Sequence, residues 1–128
     1  MNGNSTDIAT LFLDKELNIR RYTDQLTKIF KLRQTDIGRP FTDMVTSLVY
    51  PEMSGHAQEV LRTLVYRETA VPAQDNKWYT VRIMPYRTFD DRIDGLVITF
   101  IDITYAKKTE SDLQNALKIL AKNKLSLP

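Results

Sequence analysis

No cysteine occurs among the 128 residues of this chain. That absence removes disulfides, thiolate nucleophiles, thiolate metal ligands and any flavin-cysteine adduct together. Histidine is reduced to His56 alone and tryptophan to Trp78 alone. No apolar run approaches the roughly 18 to 20 residues that span a bilayer, and the opening MNGNSTD is neither basic nor apolar. A cytoplasmic protein without a membrane segment is the expectation. A strong excess of one charge is also missing: the net charge of +2 is too small to argue for nucleic acid. Arg20, Arg21, Lys28, Lys31 and Arg33, close in sequence, read as a solvated face. Neither a nucleophile-base arrangement, nor paired carboxylates, nor a phosphate-binding glycine loop, nor a metal-ligand cluster is visible, so catalysis is not expected.

What is present is the composition of a folded domain, 42% hydrophobic and 27% charged. A chain of this length buries roughly two thirds of the surface that its unfolded form exposes, enough for one core. Residues 1–6 read as a loose lead-in, 7–104 as the domain, and 105–128 as a terminal helix. Ile8 to Leu13 is an apolar run of strand length, followed by the polar turn Asp14-Lys15-Glu16 and a second run, Leu17 to Tyr22; together they predict a hairpin. Thr23 or Asp24 is placed to cap a short helix carrying Leu26, Ile29, Phe30 and Leu32. Gly38 and Pro40 break the pattern. Thr42 or Asp43 is placed to cap a second short helix with Met44, Val45 and Leu48, closed by Pro51.

Ser54 to Arg67 has the strongest helical pattern: Ala57, Val60, Leu61, Leu64 and Val65 recur at the spacing that makes one apolar stripe. Glu68 to Ala73 reads as a strand with Pro72 near its end, and Gln74 to Lys77 as a turn in which Asp and Asn tolerate left-handed geometry. Two long strands follow. Alternation on Trp78 to Tyr86 places Trp78, Thr80, Arg82 and Met84 on one face and Tyr79, Val81 and Ile83 on the other. From Gly95 to Ile103 both faces are apolar, Leu96, Ile98 and Phe100 against Val97, Ile101 and Ile103. A strand of that kind is covered on both sides, by a partner subunit or by the terminal helix. Beyond Thr104, Leu113, Leu117 and Leu120 have the spacing of a coiled-coil seam. Their burial is worth roughly 5 to 8 kcal/mol against an association cost of about 4 to 15 kcal/mol, so the seam alone does not hold a tight dimer.

The order strand, strand, short helices, longer helix, three strands and exit helix resembles that of PAS domains, and Asp102-Ile103-Thr104 is similar to the Asp-x-Thr motif that closes the last PAS strand. TDIATLFLDKELNIRRYT at 6–23, TDIGRPFTDM at 35–44, and WYTVRIMPYRT with IDGLVITFIDIT between Trp78 and Thr104 resemble the PAS segment of chemotaxis methylesterase/methyltransferase fusion proteins. The resemblance covers about residues 6–110. It implies an α+β fold with a five-stranded antiparallel sheet, short helices on one face and a C-terminal exit helix, and a regulatory role in chemotaxis-type or two-component signalling. It also implies a piece of a longer protein, since 128 residues cannot hold the catalytic domains of such a fusion. Two departures stand out: Thr23 where many PAS domains have Asn, and Tyr105-Ala106 where an acidic-basic pair often follows the motif.

On that resemblance Asp102, Thr104 and Tyr105 are the candidates for coupling strand to helix, Thr104 by accepting from an amide in the first helical turn and Asp102 by holding nearby backbone or a basic side chain. A ligand cavity between the sheet and the helix at 54–67 would be lined by Val60, Leu61, Leu64, Trp78, Met84, Ile98 and Phe100. A homodimer would use Val97, Ile101, Leu113, Leu117 and Leu120, and other domains of the parent protein are further partners. No cofactor is named by the sequence: His56 lacks a supporting haem pocket, and Trp78, Tyr79 and Tyr86 at strand spacing read as core and interface instead of a flavin cradle. Arg82 and Arg87 either bind an anion or pair with Asp102, Asp94 or Asp91. Three roles stay open: a sensor with a cavity, a docking module with a filled core and an apolar outer face, and a packing piece of a methyltransferase.

Overall fold

In the computed structural model, residues 8–125 are described; the lead-in at 1–6 and the tail at 126–128 lie outside them. Five strands form one antiparallel sheet in the order β2-β1-β5-β4-β3: β1 (Ile8–Leu13), β2 (Ile19–Tyr22), β3 (Arg67–Ala73), β4 (Lys77–Arg87) and β5 (Ile93–Asp102). The other elements among the described residues are two α-helices, α1 (Met53–Thr63) and α2 (Thr104–Leu125), and three 3₁₀ turns. The fold is α+β, as the element order implied.

Alternation along the strands decides which face is buried. Across the sheet Ala9, Phe100 and Val81 pair in one row, Leu11, Ile98 and Ile83 in the next, and all six are buried. Leu26, Ile29, Phe30, Phe41, Met53, Ala57 and Val60 cover them from the segments between β2 and β3. Phe30 meets Phe100 edge to face, with ring centres 5.7 Å apart. The opposite face carries Ile8, Ile101 and Thr80 in one row and Phe12, Val97 and Met84 in another, all exposed or half-buried.

Turn chemistry fixes the hairpins. The Asp14 carboxylate accepts from the amides of Glu16 and Asn18, both at 2.9 Å, which folds the chain back while Leu17 takes φ 67°. Strand β2 therefore begins at Ile19, two residues later than its apolar run. Asp75 and Asn76 both have positive φ between β3 and β4, as their residue types predicted. Gly95 stands at φ 148°, and a Cβ there would lie 1.9 Å from the Leu13 carbonyl oxygen. Only glycine allows β1 and β5 to approach this closely.

Three expected helical segments differ. The first is a single 3₁₀ turn, Asp24–Lys28, because Thr23 does not cap it: its hydroxyl accepts from the amide of Thr10 at 3.0 Å and ties the segment to β1. The second is the 3₁₀ turn Phe41–Asp43, after which the backbone runs extended and bridges sideways, Lys31 N to Val45 O and Val49 N to Pro72 O, both 2.8 Å. Lateral bonding satisfies these amides where a two-turn helix would be marginal. Helix α1 stops at Thr63, since Leu64 turns left-handed at φ 60° to aim the chain into β3. Thr63 closes that end by donating to Glu59 O and accepting from Val65 N.

Candidate functional site

The end of β5 and the start of α2 form one bonded junction with the start of β4. The Tyr79–Asp102 pair is the last of the β4–β5 ladder, and the ladder continues through Ile103 N to Trp78 O at 2.9 Å. Trp78 N in turn donates to the hydroxyl of Thr104 at 3.0 Å. The Asp102 carboxylate accepts from Thr104 N at 2.9 Å, a turn in which an Asp side chain holds the amide two residues on. Its charge also sits at the positive end of the α2 dipole. One turn later the Lys107 ammonium lies 4.5 Å from the centre of the Trp78 indole, within the range of a cation-π contact, and reaches Glu110 at 3.5 Å.

Two of the three candidate coupling residues thus come together, with a correction to one role. Thr104 does not accept from the first turn of α2; its hydroxyl is turned back onto β4, because the ladder brings Trp78 N within reach and leaves the helical amide to Asp102. Tyr105 takes no part. It is 84% exposed. The residue that sequence reasoning missed at this junction is Trp78, which strand alternation assigned to a face but could not place beside Thr104 without the β4–β5 register.

The expected inner cavity does not assemble from its seven candidates. Val60, Ile98 and Phe100 are buried together in the core. Trp78 and Met84 lie on the opposite face of the sheet, where Met84 pairs with Val97; alternation separates them from Ile98 as it separated them from Val81. Leu64 is exposed because α1 has already ended, and Leu61 is only half-buried. Five surface recesses are lined by other residues and by none of Val60, Ile83 and Ile98. Ala57 and Val60 of α1 share one buried cluster with Ile83, Ile98 and Phe100 of the sheet.

Of the candidate dimer residues, Val97 and Ile101 fall on the uncovered sheet face. Leu113, Leu117 and Leu120 are 59%, 55% and 63% exposed along α2, which meets the sheet through β4 near its start and does not lie back over β5. Arg82 pairs with Glu68 at 2.8 Å and Arg87 with Asp91 at 3.1 Å, so Arg87 takes one of the expected partners and Arg82 takes the residue opposite it on β3. His56 Nδ1 lies 2.6 Å from the Tyr50 hydroxyl, a structural contact at the start of α1. Burial pushes the Tyr50 phenol above its ordinary value. Burial, and secondarily the charge of Asp102, does the same to Tyr79.

Comparison with known proteins places this architecture. A PAS domain family model matches residues 3–104. An uncharacterised 104.1 kDa protein of Rhodobacter capsulatus is 31% identical over 103 residues, covering 80% of this chain and 11% of that protein, so the chain spans about a tenth of its curated relative. Among solved structures, the PAS domain of the histidine kinase ThkA superposes with a TM-score of 0.63 at 20% identity, covering 74% of this chain and 98% of that one. A sensory box sensor histidine kinase from Vibrio cholerae gives 0.58 at 10% identity, with 74% and 81% covered. These likenesses carry the fold, and the match over 3–104, joined to the β2-β1-β5-β4-β3 sheet and the Asp102-Ile103-Thr104 junction, shows that the chain belongs to the PAS domain family.

Proposed function

We propose that this PAS domain is a signal relay that converts a shift between β4 and β5 into a displacement of α2. The observation that carries the reading is that α2 is bound to both strands at once, to β5 through Asp102 and to β4 through the hydrogen bond from Trp78 N to Thr104. A ligand or partner that favours one arrangement of the two strands shifts the population of the helix junction by its difference in affinity for the two arrangements. The parent protein, on this reading, is a larger bacterial signalling protein. The three sequence segments similar to chemotaxis methylesterase/methyltransferase fusions support that choice, with α2 leading toward the output domain. The test is Thr104→Val in the parent protein: altered output, with the isolated domain still folded, is the expected result, and unchanged output would sink the relay.

A second reading, a homodimerising docking module, is favoured by the uncovered row Phe12, Val97 and Met84 and by the exposed leucines of α2. It predicts a dimer mass by light scattering that Val97→Glu and Ile101→Glu convert to the monomer mass. A mass insensitive to both substitutions rules this interface out.

A further inference from the structure

The two edges of the sheet end differently. At the β2 edge, Ile19 N donates to Arg39 O at 2.8 Å and Gly38 N to Ile19 O at 2.7 Å, so the chain closes that edge on itself at Ile19. At the β3 edge the same kind of closure reaches only the end of the strand: Val49 N donates to Pro72 O at 2.8 Å and Gln74 N to Ser47 O at 2.9 Å. These bonds come from outside the sheet, so the backbone of Pro72 faces away from β4. The two-residue period of a strand turns the N–H and C=O groups of Ala70 and Glu68 the same way. Among the described residues, no backbone hydrogen bond from outside the sheet reaches either of them. Both are exposed, and β3 pairs with β4 from Arg67 to Ala73 without a bulge. A regular edge with free backbone groups is a template for another strand.

We infer that this edge binds a second copy of the chain, β3 against β3 and antiparallel, with Thr69 on the two-fold axis. The residue types select that register. Centred on Thr69, Glu68 of one copy lies opposite Ala70 of the other, both residues face outward, and each such pair exchanges both of its backbone bonds. Centred on Glu68, the two carboxylates would lie directly opposite each other, which is unfavourable. Centred on Ala70, Glu68 would lie opposite Pro72, which has no N–H to give and whose carbonyl already accepts from Val49. In the Thr69 register nothing stands in the way: Ala70 presents only a methyl, and Glu68 is held by Arg82 of the neighbouring strand at 2.8 Å, which also offsets its charge. Because β3 begins at Arg67, the incoming strand sets no ladder residue against Pro72, where Val49 already lies. The contact is self-complementary, each copy giving the other the same groups, which argues for a copy of this chain over an unrelated peptide. Its axis stands perpendicular to the sheet, so the face that carries Val97 takes no part. So short a ladder makes a weak, concentration-dependent dimer.

The chain has no cysteine, so one introduced thiol reports one contact. In a non-hydrogen-bonded antiparallel pair the Cα atoms are about 4.5 Å apart, inside the range of about 4.4 to 6.8 Å that a disulfide spans. Thr69→Cys is therefore expected to cross-link to its own copy under mild oxidation. Glu68→Cys and Ala70→Cys, whose symmetry mates stand out of register with them, are expected to cross-link at least about tenfold more slowly. Sedimentation equilibrium reads the same contact without a covalent bond. Ala70→Glu sets a carboxylate opposite Glu68 in both symmetric pairs and weakens the dimer roughly fivefold, whereas Ala70→Lys strengthens it by about as much. Position 70 is exposed, so both variants keep the fold, which circular dichroism checks. Val97→Glu leaves the Thr69→Cys cross-link unchanged, which separates this edge from the sheet face. Faster cross-linking through Ala70→Cys than through Thr69→Cys, a cross-link lost with Val97→Glu, or equal dimer constants for Ala70→Glu and Ala70→Lys would overturn the assignment. A chain that stays monomeric up to about 1 mM would overturn it as well.

Discussion

The Thr104 hydroxyl receives a hydrogen bond from a strand amide 26 positions earlier in the chain. Replacing it with valine keeps the shape and removes the acceptor, leaving the Trp78 N–H without its partner at a half-buried position. Such a loss costs about 1 to 2 kcal/mol. Thr104→Val is therefore expected to lower the unfolding free energy by that amount in a urea titration while Thr104→Ser does not, and Trp78, the sole tryptophan, reports both the unfolding and the change at the junction by its fluorescence. Gly95 presents a steeper requirement. An alanine methyl would meet the Leu13 carbonyl oxygen at 1.9 Å, so Gly95→Ala is expected to cost at least about 2 kcal/mol through backbone displacement and strain. The same urea titration checks it; a variant as stable as the parent would mean that β1 and β5 do not approach as described.

Among the elements, α1 and α2 behave differently. Helix α1 ends on Leu64 in a left-handed conformation that branched and bulky residues adopt at a cost, and its side chain is exposed, so little burial is lost by removing it. Leu64→Gly is expected to raise stability by about 0.5 to 1 kcal/mol, read as a higher thermal midpoint. Helix α2 is held in its first turn through Asp102, Trp78 and Lys107, and Leu113, Leu117 and Leu120 further along are exposed. Most helical stability in proteins comes from packing of an apolar face, which the exposed leucines do not supply within one copy of the chain. Amide exchange in the monomer is accordingly expected to be slow at the Ile103 amide and in the first turn of α2 and to quicken beyond about Glu110, with protection extending along the leucine row only if a partner covers it. Capping residues and apolar spacing alone predict short helices before α1. That signal was misleading because Thr23 spends its hydroxyl on Thr10, a contact 13 positions away that no local pattern contains.

For the molecule as a whole, pH acts through the two tyrosines whose burial raises their values, Tyr50 and Tyr79. Each is neutral in the fold and ionises more easily once unfolded, so the stability tied to it is fully present below the ordinary value of 10.0 and is lost as pH rises through the higher folded value. Urea midpoints are expected to be flat from neutral pH to about pH 9.5 and then to fall, with a shallower fall in Tyr79→Phe. A fall of unchanged steepness in that variant would show that Tyr79 is not the group responsible.

The sheet was legible because its cause is local and periodic. Alternation divided the residues of β4 between two faces before any partner was known, whereas β1 and β5, apolar throughout, did not show which of their faces is buried; Asp75-Asn76 and Asp14 declared their turns through side chains suited to left-handed or self-bonded backbone. The candidate site was legible only in part. Asp102 and Thr104 stood out as a motif, but the assignment of Trp78 and Met84 to a cavity with Ile98 and Phe100 joined residues from opposite faces. The amino-acid order was enough for the existence of the strands, the turns and the switch from strand to helix at 102–104, all of which depend on neighbours within a few positions. The tertiary structure alone decided strand register, and with it that Trp78 meets Thr104 and that Glu68 and Ala70 turn their backbone toward an open edge. Register is a relation between segments far apart in the chain, fixed by the packing of the whole core and not by any one of them.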